Sequence, residues 1–181
     1  MTSPPEALPD RHFIDLLDRA TYLRGRYMTS YAQCEFLLAD LSVKVDSRFR
    51  YALEKRINAA KAMAEASGPL NAYADDFLPL IENIGFWSER RHWFAHGFMI
   101  IFTAPDGKHA FEFRRYEPRG DGYELLHWYA TVDQLQNAAD AINRYCSAFV
   151  ALHKRIYLEL GIEGEGKHHP SVTTERLTGK R

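Results

Sequence analysis

The sequence predicts a mainly α-helical chain: an antiparallel helical bundle with a small antiparallel β-meander at about 98–130, inserted before a long last helix. Three observations predict it. Tyr27, Tyr31, Cys34, Leu38, Leu41 and Val45 recur at steps of four and three, which draws one apolar stripe down a helix. After Gly97 the pattern changes to short β-rich runs separated by Pro105-Asp106-Gly107 and Pro118-Arg119-Gly120-Asp121-Gly122, both strong turn signals. Thr131, with Gln134 three positions later, forms a capping box that opens another amphipathic stretch. With 181 residues and 46% hydrophobic content, one core and a single domain over 10–161 are expected.

The elements follow in order. Pro4, Pro5 and Pro9 make residues 1–9 an extended lead-in, and Asp10 is a plausible N-cap for a short helix over 10–24 that Gly25 breaks. The stripe then runs over 26–46. A third helix over 48–66 turns Phe49, Leu53, Ala60 and Met63 inward and stops at Gly68-Pro69. A fourth covers 76–96. Strands are expected at 98–103, 109–116 and 123–130, with Phe111 and Phe113 facing the core. The last helix, 131–160, is closed by Gly161, and its stripe of Leu135, Ala139, Ile142, Cys146, Phe149, Ile156 and Leu160 is broken only by His153, read as a satisfied core histidine. From Ile162 onward the composition has nothing to bury, so 162–181 reads as a disordered tail.

Composition excludes several function classes. Lys and Arg number 23 against 24 Asp and Glu, so no global positive charge holds nucleic acid nonspecifically, and any RNA contact must be local. Apolar runs such as Phe98 to Phe102 fall far short of the ~20 residues of a membrane helix, and the N-terminal segment lacks an apolar signal core. A cytoplasmic protein without membrane contact is the expectation. Cys34 and Cys146 each fall inside a helical pattern without metal-type spacing, and are expected as core thiols rather than a disulfide or zinc site.

The chemistry-bearing segment is Glu89 to Gly97, ERRHWFAHG, which sets Arg91 and His96 in an R-x-x-x-x-H frame near a helix end, with polar His92 after the arginine and small Ala95 before the histidine. Helical geometry puts Arg91 on the apolar side with Ile84, Trp87 and Phe94. A guanidinium there needs a carboxylate, a ring of carbonyls or an anionic ligand, and Glu35 and Asp40 are candidate partners from a neighbouring helix. His96 points about 140° away from Arg91 in an ideal helix and aligns with His92 and Glu89. The two converge only if the helix frays, if the arginine arm reaches round, or if a second copy supplies the other half.

This segment resembles the signature of the HEPN superfamily, many of whose members are metal-independent ribonucleases. The resemblance covers about 26–160 and implies an all-helical bundle that dimerises through this region, with two motifs lining a shared cleft; the meander would then be an insertion. It implies a homodimer, an RNA substrate, an antitoxin or regulatory protein as a further partner, a toxin, defence or RNA-processing setting, and no cofactor. In the branch whose motif continues to a modified tyrosine this chain has Phe98, which has no hydroxyl to modify. Metal-free RNA cleavage needs a base for the 2′-hydroxyl, an acid for the leaving 5′-oxygen, and positive charge for the phosphorane. His96 is cast as acid or base, Arg91 as phosphate clamp and His92 as an orienting group.

Arg90, Arg114, Arg115 and Arg119, with Tyr116, Tyr123 and Trp128 nearby, are candidates for guiding the strand, against the alternative of a plain amphipathic sheet surface. Glu89, His92 and His96 also share one face in an E-x-x-H-x-x-x-H pattern, but the rest of a di-metal ligand set is missing and no metal is expected. The competing reading is a non-catalytic HEPN-like dimeric module that binds a protein, a nucleotide or RNA without cutting it.

Overall fold

The first helix, α1 (Arg11–Asp46), runs unbroken through Gly25, contrary to the expected break. A mid-helix glycine costs about 1 kcal/mol relative to alanine, and the stripe outweighs it: Ala20, Leu23, Tyr27, Tyr31, Cys34, Leu38 and Leu41 are all buried along one face. The computed structural model describes residues 11–104 and 106–162. The lead-in 1–9, the Asp10 cap, Pro105 of the first turn and the tail beyond Ile162 lie outside the described residues.

Ser47, with φ 54°, turns the chain out of α1. Helix α2 (Leu53–Ala64) then begins later than the 48–66 expected, and Phe49 is 52% exposed instead of inward. The reason is local. Phe49 stacks edge-on against Tyr51 at 4.8 Å and under the Arg56 guanidinium at 5.4 Å, while Arg56 Nε donates to Arg50 O. These contacts build a self-packed loop. Ala60 and Met63 do face the core, and Leu53 is half-buried. Beyond α2, Leu70 N–H donates to Met63 O at 2.8 Å, and Gly68 lies so close to that carbonyl that a β-carbon would meet it at 2.1 Å.

A 3-10 turn (Asn71–Tyr73) leads into α3 (Ala74–His96). Its contacts to α1 descend as those of α1 rise: Arg24 reaches Phe94, Tyr27 reaches Trp87 and Tyr31 reaches Ile84. Phe77 and Phe149, with Asp76 and Arg155, likewise set α3 antiparallel to α4 (Val132–Glu159). Helices α1 and α4 therefore run in the same direction, cross-linked by Arg19 to Gln136, Ser30 to Asn143 and Asp40 to Tyr157.

Between α3 and α4 lies an antiparallel meander, β1 (Phe98–Thr103), β2 (His109–Arg119) and β3 (Gly122–Ala130), in that spatial order. Strand β2 extends to Arg119, where Gly120 at φ 58° turns a two-residue hairpin. Alternation splits the sheet. Met99, Phe113 and Trp128 stack across the inner face with Ile101, Phe111 and Ala130, whereas Phe98, Arg114 and His127 share the outer face with Ile100, Glu112 and Tyr129. Phe111 and Phe113 are fully buried against the helices as expected, and Phe94 packs on Phe113 and Trp128 at 5.6 and 5.7 Å.

The capping box at Thr131 is present with both reciprocal bonds, and Gly161 closes α4 at φ 62°. Leu160 sits outside the packed stripe, 45% exposed. Cys34 and Cys146 are buried free thiols lying against each other between α1 and α4. Among the described residues no helix is long and apolar enough to cross a membrane.

Candidate functional site

The motif occupies the last turns of α3, a helix end held by side chains of α1 and by its own cap. Tyr27 and Tyr31 hydroxyls donate to Trp87 O and Ile84 O at 2.6 and 2.9 Å, Arg24 Nε donates to Phe94 O at 2.5 Å, and Gly97 N–H closes on Trp93 O at 2.8 Å. Beside this end opens a cleft of about 960 Å³, walled by α1, the α1–α2 connection, α2, α3 and β2.

Arg91 lines that cleft, and its Nε stands 3.4 Å from Glu35 Oε1 of α1, one of the two carboxylates anticipated for it. Asp40, the other, is engaged elsewhere, accepting from Tyr157 and lying 3.4 Å from His153 Nε2. His92 lines the same cleft and sets its ring against that of His96, centroids 4.9 Å apart. His96 is exposed on the far side of His92 and is not part of the cleft wall. One chain thus joins Arg91 with His92, and His92 with His96, but among the described residues no hydrogen bond or ion pair joins Arg91 to His96. Partial desolvation lowers the His92 pKa below its ordinary value, and the charges of Arg115, His96 and Arg91 push the same way, with Glu117 opposing.

The four arginines proposed to guide a strand do not converge. Arg90 leaves the cleft and lies over the Trp128 ring at 4.6 Å. Arg114 is on the outer sheet face, bonded at 2.7 Å to Glu112, and Arg119 pairs with Glu124 at the hairpin end. Arg115 alone joins Arg91 in the cleft. It follows the inward period of Phe111 and Phe113, is 7% exposed, and lies over the Trp93 ring at 4.2 Å. Its Nη2 meets Glu89 Oε1 at 3.2 Å and also Glu117, whereas Nε and Nη1 have no acceptor. The period-two count along β2 was the available signal that separates Arg115 from Arg114.

Several further cleft residues escaped the sequence reading, among them Tyr51, Glu54, Arg56 and Glu117. Tyr51, 87% exposed, stands at the lip, and Glu117 comes from the inner face of β2. Tyr51 lies in a loop where no periodicity announces a site, whereas Glu117 continues the inward period of Phe111, Phe113 and Arg115 one residue beyond the strand expected at 109–116. The wall carries Glu35, Glu54, Glu89 and Glu117 against Arg56, Arg91 and Arg115, so it is a mixed-charge surface rather than a basic groove. Glu89 is committed to Arg115 and Trp93 Nε1, and no group of three potential metal ligands converges among the described residues.

No family model, curated protein or solved structure matches this chain.

Proposed function

We propose that the chain is a metal-independent endoribonuclease of HEPN type, working as a cytoplasmic homodimer in a toxin, defence or RNA-processing setting under an antitoxin or regulatory partner. The observation that supports this best is the continuity of Arg91, His92 and His96: the first two line one cleft, and the ring of the third touches His92 at 4.9 Å. His92, whose pKa its surroundings lower, accepts the proton of the 2′-hydroxyl, whose oxygen attacks the adjacent phosphorus. Arg91 neutralises the phosphorane. His96, from the same chain or from its copy across the cleft, acts as the general acid and gives a proton to the departing 5′-oxygen. The products are a 2′,3′-cyclic phosphate and a 5′-hydroxyl.

A second reading, a non-catalytic HEPN-like dimeric module that binds a protein, a nucleotide or RNA without cleavage, draws support from the Glu35 carboxylate already beside Arg91, and the excess of glutamates on the cleft wall favours a protein as the bound partner. One experiment separates them. Wild type and folded His92→Ala, His96→Ala and Arg91→Ala variants are incubated with total RNA in EDTA, and product ends are analysed. Cleavage by wild type alone, leaving cyclic phosphate ends, supports the enzyme. RNA bound but left intact by wild type supports the binding module.

A further inference from the structure

Arg115 stands out among the buried polar groups. It comes from β2, outside the α3 motif, yet its guanidinium is carried to the same cleft wall as Arg91 and His92. A guanidinium keeps its charge in any protein setting, so burial without partners has to be offset by acceptors. The acceptors present are unevenly placed. Both Glu89 and Glu117 meet Nη2, while Nε and Nη1 are buried with no acceptor at all. Trp93 fixes the plane of the group from one face at 4.2 Å, so the fork cannot rotate to share the carboxylates more evenly.

A fixed, planar, under-bonded fork on the wall of the same cleft as a second arginine is suited to recognising a tetrahedral oxyanion. We infer that Arg115 and Arg91 form a two-armed clamp for one phosphate group of the nucleic-acid strand, with Arg115 as a binding residue supplied by the meander. This rests on the ribonuclease reading for the identity of the strand. The clamp gives the inserted sheet a role in the site: Phe111 and Phe113 anchor β2 in the core, and the next inward residue is presented to the phosphate. Glu117 and Glu89 occupy Nη2 until an oxyanion competes for it, which prevents the buried charge from standing alone.

The full chain is titrated with inorganic phosphate while the arginine Nε–H signals are followed by NMR, the Arg115 signal being assigned by its loss in Arg115→Lys. The Arg115 signal moves with phosphate. Affinity falls about tenfold in Arg115→Lys, which keeps the charge but not the fork. Because that variant also alters a buried contact, Glu117→Gln supplies an independent reading: removing a competing carboxylate tightens phosphate binding severalfold. An unmoved Arg115 signal, or unchanged affinity in Glu117→Gln, overturns the clamp. A tetrathymidylate, which lacks the 2′-hydroxyl and is not cut, binds more tightly than phosphate; equal affinity overturns the strand as the source of the anion. Phosphate moving Arg115 while RNA stays intact would leave the clamp standing and remove the cleavage reading, and RNA cleavage with Arg115 unmoved would do the reverse.

Discussion

Arg91 Nε lies 3.4 Å from Glu35 Oε1, so the motif arginine enters the cleft with its charge already met by a carboxylate of α1. Their side chains are 31% and 19% exposed, which makes the pair half-screened rather than dry. Glu35→Gln keeps the shape and removes the charge. Removing one charge of an ion pair of this exposure is expected to lower stability by about 0.2–1 kcal/mol, measured as a fall in the urea midpoint at unchanged m-value. The same change leaves Arg91 free to meet phosphate, and binding of a short RNA in EDTA tightens severalfold in a mobility-shift titration. Weaker binding would show that Glu35 holds Arg91 in its working position instead of competing for it.

His153 gives the bundle a pH dependence on the acid side. Burial lowers its pKa from 6.5, Asp40 of α1 opposes that shift, and Lys44 adds to it. A histidine with a depressed folded-state pKa is protonated more readily in the unfolded chain. Stability is therefore full above the unfolded pKa of about 6.5 and falls as pH drops from there toward the folded value. Urea midpoints at pH 7.5 and 5.5 measure the loss, and His153→Gln, which cannot protonate, flattens it. An undiminished slope in that variant would assign the acid sensitivity elsewhere. Glu112 is separable by its window: Arg114 foremost, with His127 and Tyr129, holds its pKa at about 2, so its contribution is present above the ordinary 4.5 and disappears only as pH falls through about 2.

Periodicity carried most of the fold, and it failed where a local arrangement competed with it. The stripes of α1 and α4, the inward Phe111 and Phe113, and the Thr131 cap were legible because burial there follows a single period. Gly25 was misread since a helix break is a local inference, while the helix continues on the strength of contacts made by α3 and α4. Phe49 was misread because an aromatic ring can bury itself on a neighbour, here Tyr51 and Arg56, without reaching the core. Arg91 and His92 could be placed on α3, and the divergence of Arg91 from His96 followed from helical angles. The cleft itself was hidden. Its opposite walls come from residues near 51, 54 and 117, brought together only by tertiary packing.

Gly97 joins α3 to β1 in extended backbone, φ −76° and ψ 132°, so its requirement is space rather than conformation. A β-carbon there would sit 2.5 Å from Trp93 O and 3.5 Å from the Phe113 ring. The carbonyl belongs to the helix end and cannot move without releasing the Gly97 N–H bond to it. Gly97→Ala is expected to destabilise the fold by about 1–3 kcal/mol, read from thermal or urea unfolding. Because the strain falls one residue after His96, it also loosens the His92–His96 ring contact, visible as altered histidine side-chain NMR signals. A stability equal to wild type would mean that the end of α3 is more pliable than its contacts imply.

Gly25 is the opposite case. It lies on the exposed face of α1 with nothing within 4 Å of where a β-carbon would stand, so alanine fits without repacking. The bond from Thr29 Oγ1 to its carbonyl at 2.9 Å is one that a backbone oxygen keeps after substitution. Gly25→Ala narrows the conformations of the unfolded chain and is expected to stabilise by about 0.5–1 kcal/mol, a rise of about 1–4 °C in Tm for a chain of this size. The sign decides between two accounts of α1. A rise follows if 36 residues form one continuous rod on which α3 and α4 are aligned. A fall would mean that the glycine is required for a bend between an N-terminal segment and the stripe, which is the break first expected from the sequence.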